Sequence, residues 1–164
     1  MEPHHATTLH LLCGQIGAGK STLARRLAAR PATLLIAQDQ WMAALFPDEV
    51  RTIDDFAFYA ARFRAAMGPH VVAILRLGVS VVLDAPANTP GWRRWMRSLF
   101  TEAGVAHELH LLDVPDEICK RRLAQRNAEG THPYQVDEAT YDLFTRHFVP
   151  PAPEEGFNLV RHGP

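Results

Sequence analysis

Residues 14–22, with the sequence GQIGAGKST, decide the fold class of this chain. They match the pattern G-x-x-x-x-G-K-[ST] and stand between an apolar run ending at Cys13 and a helical pattern, the context that this motif requires. Glycines let the loop turn backbone N–H groups inward, and the helix start adds partial positive charge. The stretch therefore predicts a site for the phosphates of a nucleoside triphosphate. The predicted contacts are Gly14, Gln15, Ile16, Gly17, Ala18, Gly19, Lys20, Ser21 and Thr22.

Two side chains of this stretch carry its expected chemistry. Lys20 reaches the β- and γ-phosphates in such loops, and Ser21 offers its hydroxyl to Mg²⁺. A guanine-specific switch usually carries N-K-x-D, and neither lysine, Lys20 or Lys120, follows an asparagine. ATP and Mg²⁺ are therefore the predicted cofactors. A dinucleotide site is not predicted, because it needs G-x-G-x-x-G.

The rest of the chain alternates short apolar runs with longer helical patterns. Strands are predicted at residues 7–13, 33–37, 79–83, 106–112 and 157–160. Helices are predicted at residues 20–30, along an apolar stripe at 56–75, from Pro90 to 103, from Pro115 to 127 and from Asp137 onward. Pro69 is expected to kink or divide the second helix. This alternation predicts an α/β fold with a parallel sheet in a single domain, residues 1–164.

Composition narrows the function classes. The chain has 164 residues, 47% of them hydrophobic, and 17 basic against 18 acidic side chains give a net charge of −1. Disorder is excluded, and a whole-surface nucleic-acid binder is disfavoured. We expect no secretory signal, no membrane span and a cytoplasmic location. The nine histidines lack a ligand spacing such as H-E-x-x-H, so no zinc site is expected.

Two aspartates follow or end predicted strands. Asp39 comes directly after the second strand, at the sheet edge that faces ligands in open α/β folds. A carboxylate there can take a proton from an attacking hydroxyl, although Asp39 is also suited to begin a helix. Asp84 ends a predicted aliphatic strand, an arrangement that holds Mg²⁺ through water. The alternative is that Asp84 is a capping or turn residue without a role in metal binding.

Arg122 and Arg126 lie four residues apart, on one face of a predicted helix. A polar segment with Gly130 and Pro133 follows them, so residues 121–137 are a candidate lid. Closing a lid would bring the guanidinium groups to the transferring phosphoryl and exclude water. The alternative is a solvated basic face.

Several ordered segments together resemble a known family. They are GQIGAGKST, IAQDQWMAALFPDE, VVLDAPANTPGWRRWM, LHLLDVPDEICKRRLAQRN and FVPPAPEEGFNLV, and they span residues 9–160. The chain is similar to small P-loop kinases of the AAA_33 type, grouped with zeta toxins, chloramphenicol phosphotransferase and the kinase domain of polynucleotide kinase. It is shorter than zeta toxins and lacks room for their extra helical elements.

The resemblance implies a three-layer P-loop fold with a five-stranded parallel sheet of order 2-3-1-4-5, helices on both faces and a small lid. It also implies that Asp39 is the base toward the acceptor hydroxyl. Arg122 and Arg126 match lid arginines, one near the phosphates and one near adenine. Asn88 and Arg93 match a polar residue and an arginine that meet the acceptor or its phosphate.

The predicted function is an ATP-dependent kinase for a hydroxyl of a small molecule. Trp41, Arg62 and Tyr134 are further candidates for an acceptor pocket, because aromatic walls with polar anchors suit small ligands. The arginines of residues 93–97 are expected to face outward from an amphipathic helix. The alternatives are a polynucleotide or nucleoside 5′-hydroxyl kinase and a low-turnover ATP-binding regulatory module. The sequence does not name the acceptor or the oligomeric state.

Overall fold

Five parallel strands form the centre of the computed structural model, which describes residues 5–130 and 135–164. The strands are β1 (Thr8–Cys13), β2 (Thr33–Ala37), β3 (Ser80–Pro86), β4 (Ala106–Leu112) and β5 (Leu159–His162). Their order is β2-β3-β1-β4-β5, and every neighbouring pair is parallel. The predicted α/β class, parallel sheet and strand order are confirmed.

Helices connect these strands. In the described residues they are α1 (Lys20–Ala28), α2 (Gln38–Leu45), α3 (Ile53–Arg76), α4 (Pro90–Ala103), α5 (Asp116–Glu129) and α6 (Glu138–His147), with a short 3₁₀ helix at Pro153–Glu155. Their ends follow local capping chemistry. The side chain of Asp137 accepts a hydrogen bond from the amide of Thr140 at 2.7 Å, and Gly104 ends α4 with φ of 68°.

The sheet is covered on both faces, which explains why β1 is apolar along its length. On one face Leu11 belongs to a core with Phe63 of α3 and Met96 of α4. On the other face Leu12 belongs to a core with Leu27 of α1 and Leu123 of α5. The three-layer arrangement is thereby confirmed, and the end of β1 is held rigidly from both sides.

Two features of the helices differ from the sequence predictions. Pro69 lies inside α3 without dividing it. Its neighbour Gly68 lies against α4, where an added Cβ would be in van der Waals contact with Nε1 of Trp95 at 3.4 Å. The helix α2 was not predicted, because the exposed apolar residues Trp41 and Leu45 obscure its pattern.

Two strands have bounds that differ from the predicted ones by two residues or more. β3 runs to Pro86 instead of residue 83, and β5 begins at Leu159 instead of residue 157. Asp84 therefore lies inside β3, where it pairs with Ala37 of β2. The pairing of β1 with β3 shifts register directly after Leu11, at the end of the sheet that carries the phosphate loop.

Two histidines are buried within the sheet. His10 of β1 is 4% exposed and His110 of β4 is 3% exposed. Burial lowers the pKa of His10, and burial together with the positive charge of His10 lowers the pKa of His110 to about 4. Both rings are therefore neutral at pH 7.

None of the helices in residues 5–130 and 135–164 combines the length and the apolar composition that a membrane span needs.

Candidate nucleotide-binding site

The loop between β1 and α1 depends on glycine at two places. Gly17 has φ of 81° and Gly19 has φ of 103°, in the left-handed region that other residues rarely adopt. A Cβ on Gly17 would also lie only 2.5 Å from the carbonyl oxygen of Cys119. The loop thus packs directly on α5, and glycine is required at position 17 for steric as well as conformational reasons.

Lys20 folds back across this loop. Its Nζ donates hydrogen bonds to the carbonyl oxygens of Gly14 at 2.6 Å and Gln15 at 2.9 Å. Burial lowers the pKa of Lys20, while the carboxylates of Asp84 and Asp39 oppose that shift. A desolvated ammonium held at the loop is suited to receive phosphate oxygens, as the sequence predicts.

Ser21 and Asp84 form a pair of oxygen ligands beside Lys20. The hydroxyl of Ser21 donates a hydrogen bond to Oδ2 of Asp84 at 2.9 Å. A hydroxyl and a carboxylate are hard donors of the kind that Mg²⁺ prefers. The two predicted metal-site residues therefore come together, and their donor set fits that ion.

Asn88 holds the start of the loop. Its Oδ1 accepts a hydrogen bond from the Gly14 amide at 3.0 Å, and its Nδ2 donates one to the Gly14 carbonyl at 2.8 Å. Both ends of the side-chain amide thus bond one residue of the loop. The structure gives Asn88 a positioning contact with the phosphate loop, and the acceptor contact that the resemblance implies stays a prediction.

Arg93 does not face outward, so that prediction is wrong. It is fully buried, and its Nε donates a hydrogen bond to Oε1 of Glu155 at 2.7 Å. Its Nη1 donates to the carbonyl oxygens of Ala87 at 2.9 Å and Val149 at 2.8 Å. Two of these partners, Glu155 and Val149, lie 62 and 56 residues away in sequence, which is why helical periodicity did not reveal the burial of Arg93. Arg93 is therefore a buried structural clamp between α4 and residues 149–155. The acceptor contact that the resemblance implies for it stays a prediction.

Asp39 lies in the first turn of α2, and Ala37 rather than Asp39 caps that helix. Burial lowers the pKa of Arg126, and the negative charge of Asp39 partly opposes that shift. Nε of Arg126 is buried and has no hydrogen-bond partner among the described residues. Asp39 and Arg126 therefore approach each other at the edge of the sheet that carries the loop.

Arg122 lies one helical turn before Arg126 and contacts the loop itself. Its Nη1 donates a hydrogen bond to the carbonyl oxygen of Ala18 at 3.2 Å. The ends of the predicted lid are also joined, since Nδ2 of Asn127 donates to the carbonyl oxygen of Val136 at 2.6 Å. The structure thus brings Arg122 to the loop. The contact of Arg126 with the nucleotide stays a prediction.

The remaining acceptor candidates lie on the outer surface or outside the described residues. Trp41 of α2 is 44% exposed. Arg62 of α3 is exposed, with its guanidinium carbon 4.9 Å from the centre of the Phe58 ring. Tyr134 lies outside the described residues. No contact in the described part of the chain joins these candidates to the phosphate loop.

Two residues near the site were missed by sequence reasoning. Gln38, directly before Asp39, is fully buried, and its side-chain amide has no partner among the described residues. Buried polar atoms of this kind are rare and often belong to functional sites. Thr145 of α6 contacts Gln15 through a 3.3 Å hydrogen bond between Oγ1 and Oε1. The change from apolar to polar residues at the end of β2 is a signal for Gln38, whereas nothing in the sequence points to Thr145.

Residues 9–151 match the sequence model of the AAA_33 family, described as an AAA domain. The chain belongs to this family. None of the curated proteins compared with the chain matches it. This AAA-domain chain shares its fold with P-loop kinases of known structure, and at the identities found the likeness concerns the fold alone.

Three solved structures illustrate the shared fold. A candidate kinase from Chloroflexus aurantiacus j-10-fl is 20% identical, with a TM-score of 0.76 over 96% of this chain and 85% of that one. Kti12 from Chaetomium thermophilum, in complex with ADP-AlF3, is 18% identical with a TM-score of 0.68 over 94% and 88%. The Mycobacterium tuberculosis APS kinase CysC, in complex with AMPPNP and APS, is 19% identical with a TM-score of 0.64 over 97% and 89%.

Proposed function

We propose that the protein is an ATP-dependent phosphotransferase that moves the γ-phosphoryl group of Mg-ATP to a hydroxyl group of a small molecule. The observation that carries this proposal is that Lys20 bonds the loop carbonyls while Ser21 donates to Asp84 at 2.9 Å, and that Asp39 lies two residues beyond Ala37, the strand partner of Asp84. A carboxylate at the position of Asp39 can act as a base toward an acceptor hydroxyl. The fold shared with Kti12 bound to ADP-AlF3 and APS kinase bound to AMPPNP and APS supports the proposal.

The loop binds the triphosphate through backbone and side chain together. The inward N–H groups of the loop and the start of α1 donate to phosphate oxygens. Lys20 exchanges its bonds to the loop carbonyls for bonds to the β- and γ-oxygens. Ser21 and Asp84 hold Mg²⁺, which neutralises part of the triphosphate charge when bound. Asn88 keeps Gly14 in position while these bonds form.

Transfer then needs a base and compensation of charge. Asp39 takes the proton of the acceptor hydroxyl as its oxygen attacks the γ-phosphorus. The new oxygen–phosphorus bond forms while the bond to the bridging oxygen breaks, and ADP leaves with the electron pair. Arg122 and Arg126 donate to the phosphoryl oxygens, where negative charge is greatest. The buried and unpartnered Nε of Arg126 is a donor suited to this task.

The acceptor is proposed to enter beside α2, which carries Asp39. Trp41, two residues further along this helix, offers an exposed aromatic face, and Arg62 of the neighbouring α3 offers a cation. Tyr134 stays a predicted contact from the lid. These residues suit an organic molecule with a hydroxyl and an anionic or aromatic part.

A transfer screen tests the proposal. The protein is incubated with Mg-ATP and a metabolite library, and the products are searched by mass spectrometry for ATP-dependent gain of one phosphate. A second arm offers a 5′-hydroxyl oligonucleotide. We expect a phosphorylated small molecule, and its formation must be lost in Lys20→Ala. Phosphorylation of the oligonucleotide alone would favour the polynucleotide kinase alternative. Tight ATP binding without transfer in either arm would favour the regulatory module.

A further inference from the structure

A cluster of three histidines and one glutamate lies on the sheet face that carries α1. We define this histidine cluster as His10 of β1, Glu108 and His110 of β4, and His162 of β5. His10 and Glu108 are direct partners in the register of β1 and β4. Because side chains two apart on a strand share a face, His110 projects beside them. Three adjacent strands thus bring four potential ligands together, although they are scattered in sequence.

Three atoms of the cluster form an almost equilateral triangle. Nδ1 of His10 lies 3.1 Å from Nε2 of His110, and each of these nitrogens lies 3.2 Å from Oε2 of Glu108. In a tetrahedral Zn²⁺ site with bonds of 2.0–2.1 Å, ligand atoms are about 3.3 Å apart. The triangle therefore matches one face of such a tetrahedron.

Hydrogen bonds satisfy these atoms only in one crowded arrangement. A carboxylate oxygen only accepts, so His10 and His110 would both need a proton on the facing nitrogen to bond Glu108. Both N–H groups would then point at the same oxygen from nitrogens that are only 3.1 Å apart. Without one of the protons, a nitrogen lone pair would face the carboxylate oxygen at 3.2 Å. A cation at the centre of the triangle is attracted to all three atoms.

The surroundings complete the site. Nδ1 of His110 lies 3.0 Å from Nε2 of His162, the kind of contact that orients a metal-binding imidazole from outside. A cavity of about 330 Å³ lies against Glu108, His110 and His162, and its wall includes Arg26 of α1 and Arg30 of the turn that follows α1. The cavity leaves room for a fourth ligand, and the two guanidinium groups make hydroxide or another anion suitable there.

We propose that the histidine cluster binds one divalent transition metal ion, of which Zn²⁺ fits best, through His10, Glu108 and His110, with His162 as a positioning residue. Two nitrogens and one oxygen favour Zn²⁺ over Mg²⁺, which prefers oxygen ligands. Gly14 follows His10 by four residues, about 13 Å along an extended strand, so this ion is distinct from the one proposed for the triphosphate. Bound metal would fasten the edge strand β5 and β4 to β1.

The sequence predicts no zinc site, because its histidines lack a ligand spacing along one helix or loop. The three proposed ligands instead come together from β1 and β4, with His162 of β5 beside them. The only local signal is Glu108 and His110 in alternate positions of one strand. Such alternation is common on half-buried strands, so it predicts a site only when the neighbouring strand is known.

Metal titration of the full chain tests this proposal. The protein is stripped with EDTA and titrated with Co²⁺, whose visible absorption reports four-coordinate geometry, and then with competing Zn²⁺. We expect one equivalent, displacement by Zn²⁺ and no displacement by millimolar Mg²⁺. His110→Ala and the nearly isosteric Glu108→Gln should each lose the tetrahedral absorption. His162→Ala should bind about 10–100-fold more weakly.

The exposed histidines supply matched controls. His70→Ala and His147→Ala should bind Co²⁺ and Zn²⁺ as the unchanged protein does. Zn²⁺ should also raise the Tm of the unchanged protein and leave that of Glu108→Gln unaltered. Absence of tetrahedral Co²⁺ absorption in the unchanged protein, or equal binding by Glu108→Gln, would overturn the proposal. Lys20→Ala should keep the metal site, so failure of the proposed transferase function would leave this result unaffected.

Discussion

Gly17 illustrates how one position decides the shape of the phosphate loop. Its φ of 81° and the 2.5 Å approach of an added Cβ to the Cys119 carbonyl act together. Gly78 has almost the same φ, 82°, but the nearest atom to its added Cβ is Oγ1 of Thr7 at 4.0 Å. A side chain at position 17 would therefore meet both backbone strain and a steric clash, whereas one at position 78 would meet backbone strain alone.

We predict that Gly17→Ala weakens ATP binding at least tenfold, because the loop must move away from α5. Gly78→Ala should lower the free energy of unfolding by roughly 1–2 kcal/mol, the cost of a left-handed alanine, with ATP affinity unchanged. Calorimetric titration with ATP and urea unfolding measure the two effects. Equal ATP affinity in Gly17→Ala and the unchanged protein would show that the close contact with Cys119 does not shape the site.

Arg93 matters at the scale of elements, because it fastens α4 to the segment between α6 and β5. Its guanidinium reaches Val149 and Glu155, beyond the carboxyl end of the lid region. Burial raises the pKa of Glu155, but hydrogen bonds from Arg93 and from the Ala152 amide outweigh burial and hold that pKa below its usual range. Glu155 is therefore ionised at neutral pH.

We predict that Arg93→Met lowers the free energy of unfolding by about 3 kcal/mol, because it leaves Glu155 and several carbonyls without their donor. Arg94→Met, at the exposed neighbouring position, is the matched control and should change stability by less than about 0.5 kcal/mol. Urea unfolding compares the two variants. Equal stability of Arg93→Met and Arg94→Met would contradict the role of Arg93 as a clamp.

The elements also show what local sequence can predict. Pro90 and Asp137 are predicted at helix starts, and they are found there because helix starts depend on neighbouring residues. The loop of residues 14–22 was recognisable because its motif is short and continuous. The burial of Arg93 was not predictable, since its acceptors lie 56 and 62 residues away. The helix α2 has no continuous apolar stripe, so periodicity could not reveal it.

At the scale of the whole molecule, β1 connects the two sites. The strand ends in the phosphate loop, and His10 in its middle joins the histidine cluster. The order of the strands was predictable only from the resemblance to P-loop kinases, because periodicity indicates where strands lie in the sequence but not which strands pair. The convergence of Asp39, Asp84 and Lys20 follows from that order, since β2, β3 and β1 are adjacent.

We predict that Mg-ATP stabilises the whole domain through Lys20. At 100 times the dissociation constant, a ligand that binds only the folded state adds about 2.7 kcal/mol to the free energy of unfolding. Lys20→Ala should lose this gain, because the desolvated ammonium is its main phosphate contact. Lys120→Ala is the control, since Lys120 bonds Glu138 and Asp142 on the outer surface. Unfolding curves with and without Mg-ATP measure the gain, and equal gains in the two variants would contradict the prediction.

The single-turnover rate of transfer to the identified acceptor by Asp39→Asn tests the central claim most directly. The proposed base predicts that Asp39→Asn binds Mg-ATP as the unchanged protein does but transfers phosphate at least 100-fold more slowly, the lower range of general base catalysis. Asp48→Asn, at an exposed position, should transfer at the unchanged rate. Transfer by Asp39→Asn at the rate of the unchanged protein would contradict the account.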